Sequence, residues 1–174
     1  MNFRQQRKSK AFVLATIVLI IIGGLLYIFC GKLIYSNMTD SAPKGLYIAA
    51  PNQEIRRGDY VIVRLPEGVE KLHVNAGFLL LKHVQAFPGE SYQVDEERLC
   101  VNHQSYTIYH KDGLPQLKPG RYIVPDGELL LLNDMDESFD SRYLGTIKES
   151  QIDKKVLLLL PYEPILNIIG GMKG

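Results

Sequence analysis

GFLLLKHVQAFPGE, residues 77–90, places an ammonium inside an apolar run. Phe78, Leu79, Leu80, Leu81, Val84 and Phe87 read as a β-strand that ends at the turn signal Pro88-Gly89. Successive strand residues point to opposite faces, so Lys82 shares a face with Leu80, Val84 and Ala86. Desolvating an ammonium there is costly, and losing the proton is the cheap remedy. With an unperturbed pKa of about 10.4, a lysine is neutral only about once in a thousand at pH 7.5. A shift to about 8 would cost roughly 3 kcal/mol and make about a quarter of it neutral. Lys82 is therefore a candidate base. The alternative is a lysine whose stem packs while its head reaches water.

The same pattern continues on either side. Short apolar runs at 46–49, 60–65, 78–87, 91–94, 99–102, 106–109, 121–124, 129–132, 145–147 and 156–160 predict strands. Turn signals lie between them at Gly58-Asp59, Pro66-Glu67-Gly68, Lys111-Asp112-Gly113 and Pro125-Asp126-Gly127. There is no internal repeat and no low-complexity tract. The fold class expected is mainly β: a coiled, barrel-like β domain carried on one N-terminal transmembrane helix. Residues 156–169, VLLLLPYEPILNII, are broken by Pro161 and Pro164 and are too short to span a bilayer. They read as a last core strand followed by a tail that touches the membrane.

Residues 11–31 carry no charge, and as a helix they would cover about 31 Å, the hydrocarbon thickness of a bilayer. A cleaved signal peptide has an apolar core of about 7–15 residues followed by a small-x-small site. Residues 32–35 offer no such site, so an uncleaved anchor is expected. The domain plan is a basic cytoplasmic leader at 1–10, a transmembrane anchor at 11–35 and an extracytoplasmic β domain at 36–174. Arg4, Arg7, Lys8 and Lys10 keep the leader inside by the positive-inside rule. The expected location is a bacterial inner membrane, with the β domain in the periplasm. The 174-residue chain has net charge +1, and removing the leader leaves about −3. That balance offers no basic face for nucleic acid. Cys30 and Cys100 make no disulfide framework and read as small apolar fillers. His73, His83, His103 and His110 lack metal-site spacing, so neither metal nor cofactor is expected.

NMTDSAPKGLY, residues 37–47, has the composition of a turn or stalk. It also carries Ser41, ten residues beyond residue 31. Serine is a weak nucleophile until a neighbouring base activates it, and no histidine context singles out a partner. NDMDESFDSRYLG, residues 133–145, reads either as a charged surface loop or as an ion-pair network in which Asp140 and Arg142 flank Ser141.

SxPxGLY (41–47), RRGDYVIV (56–63), LLKHVQAFPGE (80–90) and SFDSRYLG (138–145) occur in an order and spacing that resembles the type I signal peptidase family. The likeness is greatest to its conjugative-transfer branch, the TraF-like pilin-maturation peptidases. It covers most of residues 37–145, with weaker agreement at Val101-Asn102-His103 and Pro125-Asp126-Gly127. The resemblance implies Ser41 as the acyl-forming nucleophile and Lys82 as the base that takes its proton and later activates water. It implies that Thr39 and the Ser41 backbone N–H receive the oxyanion and that Ser138 orients the lysine. Asp140 and Arg142 would support the site. Two departures favour the specialised branch. Ser41-Ala42-Pro43 replaces Ser-Met-x-Pro, and Leu132-Asn133-Asp134-Met135 replaces Gly-Asp-Asn-Arg. The membrane-embedding β insertion between the two boxes is also missing.

The resulting expectation is a membrane-anchored serine endopeptidase with a Ser41/Lys82 dyad. It would remove the leader from an exported precursor, a conjugative pilin subunit, with or without cyclisation of the product. Its partners would be that precursor, the lipid bilayer and other components of a conjugative secretion apparatus. Three rivals stay open: a signal peptidase of broad range, a non-catalytic anchor protein of the apparatus, and a self-cleaving repressor-like protease. The last would require a DNA-binding domain where the anchor stands.

Overall fold

Strand β4, Leu79–Ala86, follows β1 (Ile34–Asn37), β2 (Gly45–Ala49) and β3 (Tyr60–Arg64). After it come β5 (Ser91–Val94), β6 (Arg98–Val101), β7 (Gln104–Thr107), β8 (Gly120–Ile123), β9 (Glu128–Leu131), β10 (Ile147–Lys148) and β11 (Ile152–Pro161). Two helices complete the regular structure: α1, Phe3–Cys30, and α2, Ser141–Leu144. This computed structural model describes residues 3–30, 33–65 and 67–164. The chain divides into two units, Met1–Tyr35 and Ser36–Gly174.

In the first unit the helix includes most of the basic leader, and its side chains are described for residues 12–25. Phe12, Leu19, Ile20 and Leu25 among them are exposed. Among the described residues no helix is long and apolar enough to cross a membrane. Ile34 and Tyr35, placed in the anchor expected at 11–35, belong to β1. Extended backbone suits the β-branched and aromatic pair Ile34-Tyr35. Just beyond it, Ser36 Oγ lies 3.1 Å from Tyr162 Oη.

The second unit is mainly β, as expected. Its strands form a seven-stranded sheet, ordered β1-β2-β11-β3-β4-β9-β10, and a four-stranded sheet, ordered β7-β6-β5-β8. Most strands fall within one or two residues of their predicted positions. The strand expected at 145–147 starts two residues late, at Ile147, because residues 141–144 coil into α2 and Gly145 turns the chain at φ +71°. β11 is twice as long as expected. Leu157, Leu158, Leu159 and Leu160 in it are exposed rather than buried, and the tail at 165–169 lies outside the described residues. Cys100 is an exposed thiol, so it is not the apolar filler expected; Cys30's side chain lies outside the described residues.

β9 explains how two cores fit around one strand. Leu129 and Leu131 enter a cluster with Val61, Val63, Val84 and Ile147. Leu130 and Leu132 enter another with Tyr92, Leu99, Tyr106 and Tyr143. A strand buried on both faces reads as a continuous apolar run, which is why four leucines stand in a row. β9 ends at Leu131, and Asn133 follows Leu132 as the chain leaves the sheet.

Gly45 opens β2 with an ordinary negative φ, so close approach requires it rather than a turn. A Cβ there would lie 2.6 Å from both Leu158 Cδ1 and the Leu160 carbonyl oxygen. Gly45→Ala is expected to push β11 away from β2 and cost about 1–3 kcal/mol, as overpacking does. Urea denaturation measures this, and an unchanged midpoint would refute the close approach.

Candidate active site

The loop bearing Ser41 is organised by Asn37, for which the sequence suggested no role. Its Nδ2 donates to the carbonyls of Thr39, Ala42 and Pro43 at 3.1, 3.0 and 3.2 Å. Its Oδ1 accepts from the Thr39 backbone N–H at 3.2 Å and from Thr39 Oγ1 at 2.7 Å. Tyr47, fully buried, closes the loop by donating from Oη to the Pro43 carbonyl at 2.8 Å. Burial, with Tyr60 beside it, pushes the Tyr47 phenol up to about 12, so it stays a donor. Asn37 stands two residues before Thr39 and four before Ser41, and that spacing was the signal available.

Thr39 Oγ1 and Ser41 Oγ are 2.9 Å apart. Thr39 gives its single proton to Asn37, so in this arrangement Ser41 donates to Thr39. Ser41 is half-buried and borders a cleft of about 410 Å³, within the range of small-ligand sites. Tyr60, Asn133 and Met135 also line it.

Lys82 is 4% exposed, which removes the alternative of a head in water. On its side of β4, Val84 is fully buried, as strand alternation requires; a register shift follows Val84, and Ala86, expected on the same face, joins the other core cluster. Nζ donates to Ser138 Oγ at 2.9 Å. Burial pulls its pKa from 10.5 down to about 8; the Asp140 charge opposes that shift and the Arg142 charge adds to it. About a quarter of the amine is then neutral at pH 7.5.

Asp140 and Arg142 form an ion pair with no exposed side-chain surface. Arg142 Nε and Nη2 reach Asp140 Oδ1 and Oδ2 at 2.9 and 2.8 Å, a bidentate fork. The rest of the guanidinium donates to the carbonyls of Thr107, Asn133, Met135 and Asp136. Burial works against the Arg142 charge, and the bonded Asp140 carboxylate outweighs it, so the pKa stays raised. Asp140 also caps α2 by accepting from the Arg142 backbone N–H. Ser141 Oγ, unassigned from sequence, accepts from Leu131 N–H at 2.9 Å and ties α2 to β9.

The six predicted residues thus fall into three bonded pairs: Thr39 with Ser41, Lys82 with Ser138, Asp140 with Arg142. Among the described residues no hydrogen bond joins Ser41 to Lys82. Asn133 links the parts. Its Nδ2 donates to the carbonyl of Leu81, beside Lys82, at 3.0 Å. Its backbone N–H donates to Asp140 Oδ2 at 3.0 Å, its carbonyl accepts from Arg142, and it lines the Ser41 cleft. In the sequence this residue registered only as a departure from a family box.

The family model described as "Signal peptidase, peptidase S26" matches residues 6–160. A plasmid transfer protein TraF from Escherichia coli is 29% identical over 169 residues, covering 86% of this chain and 93% of that protein. Another from the same organism is 31% identical over 136 residues, with coverage of 67% and 76%. A signal peptidase I from Leptolyngbya laminosa is 28% identical over 98 residues, covering 56% of this chain and 48% of that protein.

Two stability changes follow from this geometry. Asp140→Ala leaves a buried guanidinium unpaired and is expected to cost about 3–5 kcal/mol in urea denaturation; a loss below about 1 kcal/mol, the value of an exposed pair, would refute the buried network. For Lys82, the amine titrates at about 8 when folded and near 10.5 when unfolded. Below pH 8 both states hold the proton and the folded state bears the full burial cost, roughly 3 kcal/mol. Between pH 8 and 10.5 only the unfolded chain keeps it, so stability rises with pH. Lys82→Met is therefore expected to melt higher than the natural chain at pH 7, and the advantage should vanish by pH 10.5. A pH-independent difference would exclude a depressed lysine.

Proposed function

Because the chain belongs to the signal peptidase, peptidase S26 family, we propose that it is a serine peptidase in which Ser41 attacks the scissile carbonyl and Lys82 serves as general base. The observation that carries this reading is the buried Lys82 amine, held by Ser138 and pulled down to about 8. A general base works best when its pKa lies near the operating pH. A merely structural role gives no reason to bury a lysine beside a serine when an apolar side chain would cost less.

In the resting arrangement the Ser41 hydroxyl leans on Thr39. Catalytic hydrogen bonds are often long before substrate binds, and the proton passes to Lys82 as the acyl-enzyme forms. The Ser41 N–H donates to the developing oxyanion, and the Thr39 hydroxyl joins it by turning its proton away from Asn37 Oδ1, while Ser138 keeps the amine oriented. The Lys82 ammonium gives that proton to the departing amine as the scissile C–N bond breaks; neutral Lys82 then takes a proton from water, whose hydroxide attacks the acyl carbonyl, and returns it to Ser41 Oγ as the acyl group leaves. Asp140 and Arg142 hold the 133–136 segment in place around this centre.

The substrate we propose is an exported precursor whose leader is removed, specifically a pilin subunit of a conjugative system. The support is the likeness to plasmid transfer proteins over most of both chains. The acyl group goes either to water or to the amino terminus of the same pilin, which yields a ring. Residues 11–31, of which 11–30 belong to α1, are proposed as the anchor in the inner membrane, with the second unit in the periplasm.

Ser41→Ala and Lys82→Ala are each expected to abolish processing of a co-expressed pilin precursor by at least ~10³-fold while leaving the far-ultraviolet circular dichroism unchanged. Lys82→Arg should be equally inactive, because a guanidinium stays protonated near neutral pH. Processing by any of the three overturns the dyad. The natural enzyme should show a rising limb in kcat/KM with an apparent pKa of about 8; a limb only above about pH 10, an ordinary lysine's range, would overturn Lys82 as base. Weighing the product separates the two fates of the acyl group, since a ring is one water, about 18 Da, lighter than the linear chain.

A further inference from the structure

The cleft beside Ser41 carries a charge pattern that acyl transfer alone does not need. Asp40, Asp134 and Glu163 line it, and the adjoining hollow adds Asp136 and Glu137. Opposing these five carboxylates is Lys44, whose Nζ is 2.6 Å from Asp40 Oδ1. One acid is thereby matched locally and four are left facing the opening.

A second observation is independent of these charges. Asn133 is 2% exposed and lines the same cleft, and its Oδ1 has no hydrogen-bond partner among the described residues. Swapping the amide oxygen and nitrogen does not cure this. Nδ2 donates to the Leu81 carbonyl at 3.0 Å, and the swap would set oxygen against oxygen. A buried acceptor without a partner costs about 1–3 kcal/mol, and a ligand N–H arriving in the cleft would remove that cost. The polar groups left over at this site are thus acceptors and carboxylates.

We propose that this cleft selects precursor segments bearing a lysine or arginine beside the scissile bond. The cationic head lies against Asp134, Asp136 and Glu137, and a backbone N–H of the segment donates to Asn133 Oδ1. The proposal rests on Ser41 being the nucleophile, and it adds the class of substrate. The carboxylates are exposed, so screening limits each contact, and their sum acts through long-range attraction as well as contact. One charge on the substrate is expected to change kcat/KM by about five- to tenfold.

The test uses the full chain in detergent with three fluorogenic peptides that differ only in one flanking residue, Lys, Gln or Glu. The expected order of kcat/KM is Lys over Gln over Glu at low salt, with the differences collapsing at about 0.5 M, where the Debye length is only a few ångström. Asp134→Asn/Asp136→Asn/Glu137→Gln should bring the Lys and Glu peptides within about twofold of each other, since exposed contacts are worth little once neutralised. Glu96→Gln/Glu97→Gln, in the remote turn before β6, should keep the order. Equal rates for the three peptides, or an order that survives the triple change, overturn the proposal. Binding of the same peptides to Ser41→Ala, followed by fluorescence anisotropy, reads the preference without turnover. Charge-ordered binding beside a natural chain that cleaves nothing would overturn the peptidase reading and keep the cleft. Cleavage without charge order would do the reverse. Asn133→Ala is expected to weaken all three peptides by a common factor, and unchanged affinities would remove Asn133 from the contact.

Discussion

The ion pair between Asp140 and Arg142 is the constraint around which the site is built. A guanidinium with no exposed surface is tolerable only if nearly every N–H finds an acceptor. The carboxylate takes two of them, and four carbonyls take the rest. Three of those carbonyls belong to Asn133, Met135 and Asp136, so satisfying the charge dictates the path of the chain as it leaves β9. Asp140 also accepts from Asn133 N–H and caps α2. One pair therefore sets the exit of a strand, the start of a helix and the segment between them, which contains Ser138.

Ser138 in turn meets Lys82, and here structure is traded against chemistry. Holding an amine at 4% exposure costs the fold stability below pH 8. The Asp140 carboxylate restrains the drop in pKa and the Arg142 guanidinium adds to it. With both charges locked in one pair, their opposing effects on Lys82 are fixed together. The hydroxyl loop is independently held, since Asn37 spends all its bonds on residues 39–43. Thr39, Ser41 and the cleft are thus rigid on one side, and Lys82 and Ser138 on the other.

Much of the fold was legible from local patterns. Alternation, turn residues and short apolar runs located most strands, because side-chain period and turn chemistry act over a few residues. α2 was missed because a four-residue helix has no periodicity to read, and its cause is a cap whose carboxylate is committed to a buried arginine. β1 was absorbed into the expected anchor, since Ile34-Tyr35 is apolar in either setting. The exposure of Leu157 to Leu160 and of Cys100 depends on which faces the rest of the sheet leaves uncovered, and no local pattern encodes that.

For the site, the boxes around Ser41, Lys82 and Ser138 marked the candidate residues through their order and spacing, which resemble those of a known family, and no single box carried a role by itself. The sequence by itself determined that Lys82 lies on the apolar side of a strand, since that follows from a period of two. Only tertiary structure decided that its head stays buried, that Ser138 is its partner, and that Asn37 and Asn133 organise the two halves. Those outcomes rest on contacts between residues distant in the chain, 56 positions apart for Lys82 and Ser138. Burial and hydrogen-bond satisfaction are properties of the whole packed molecule.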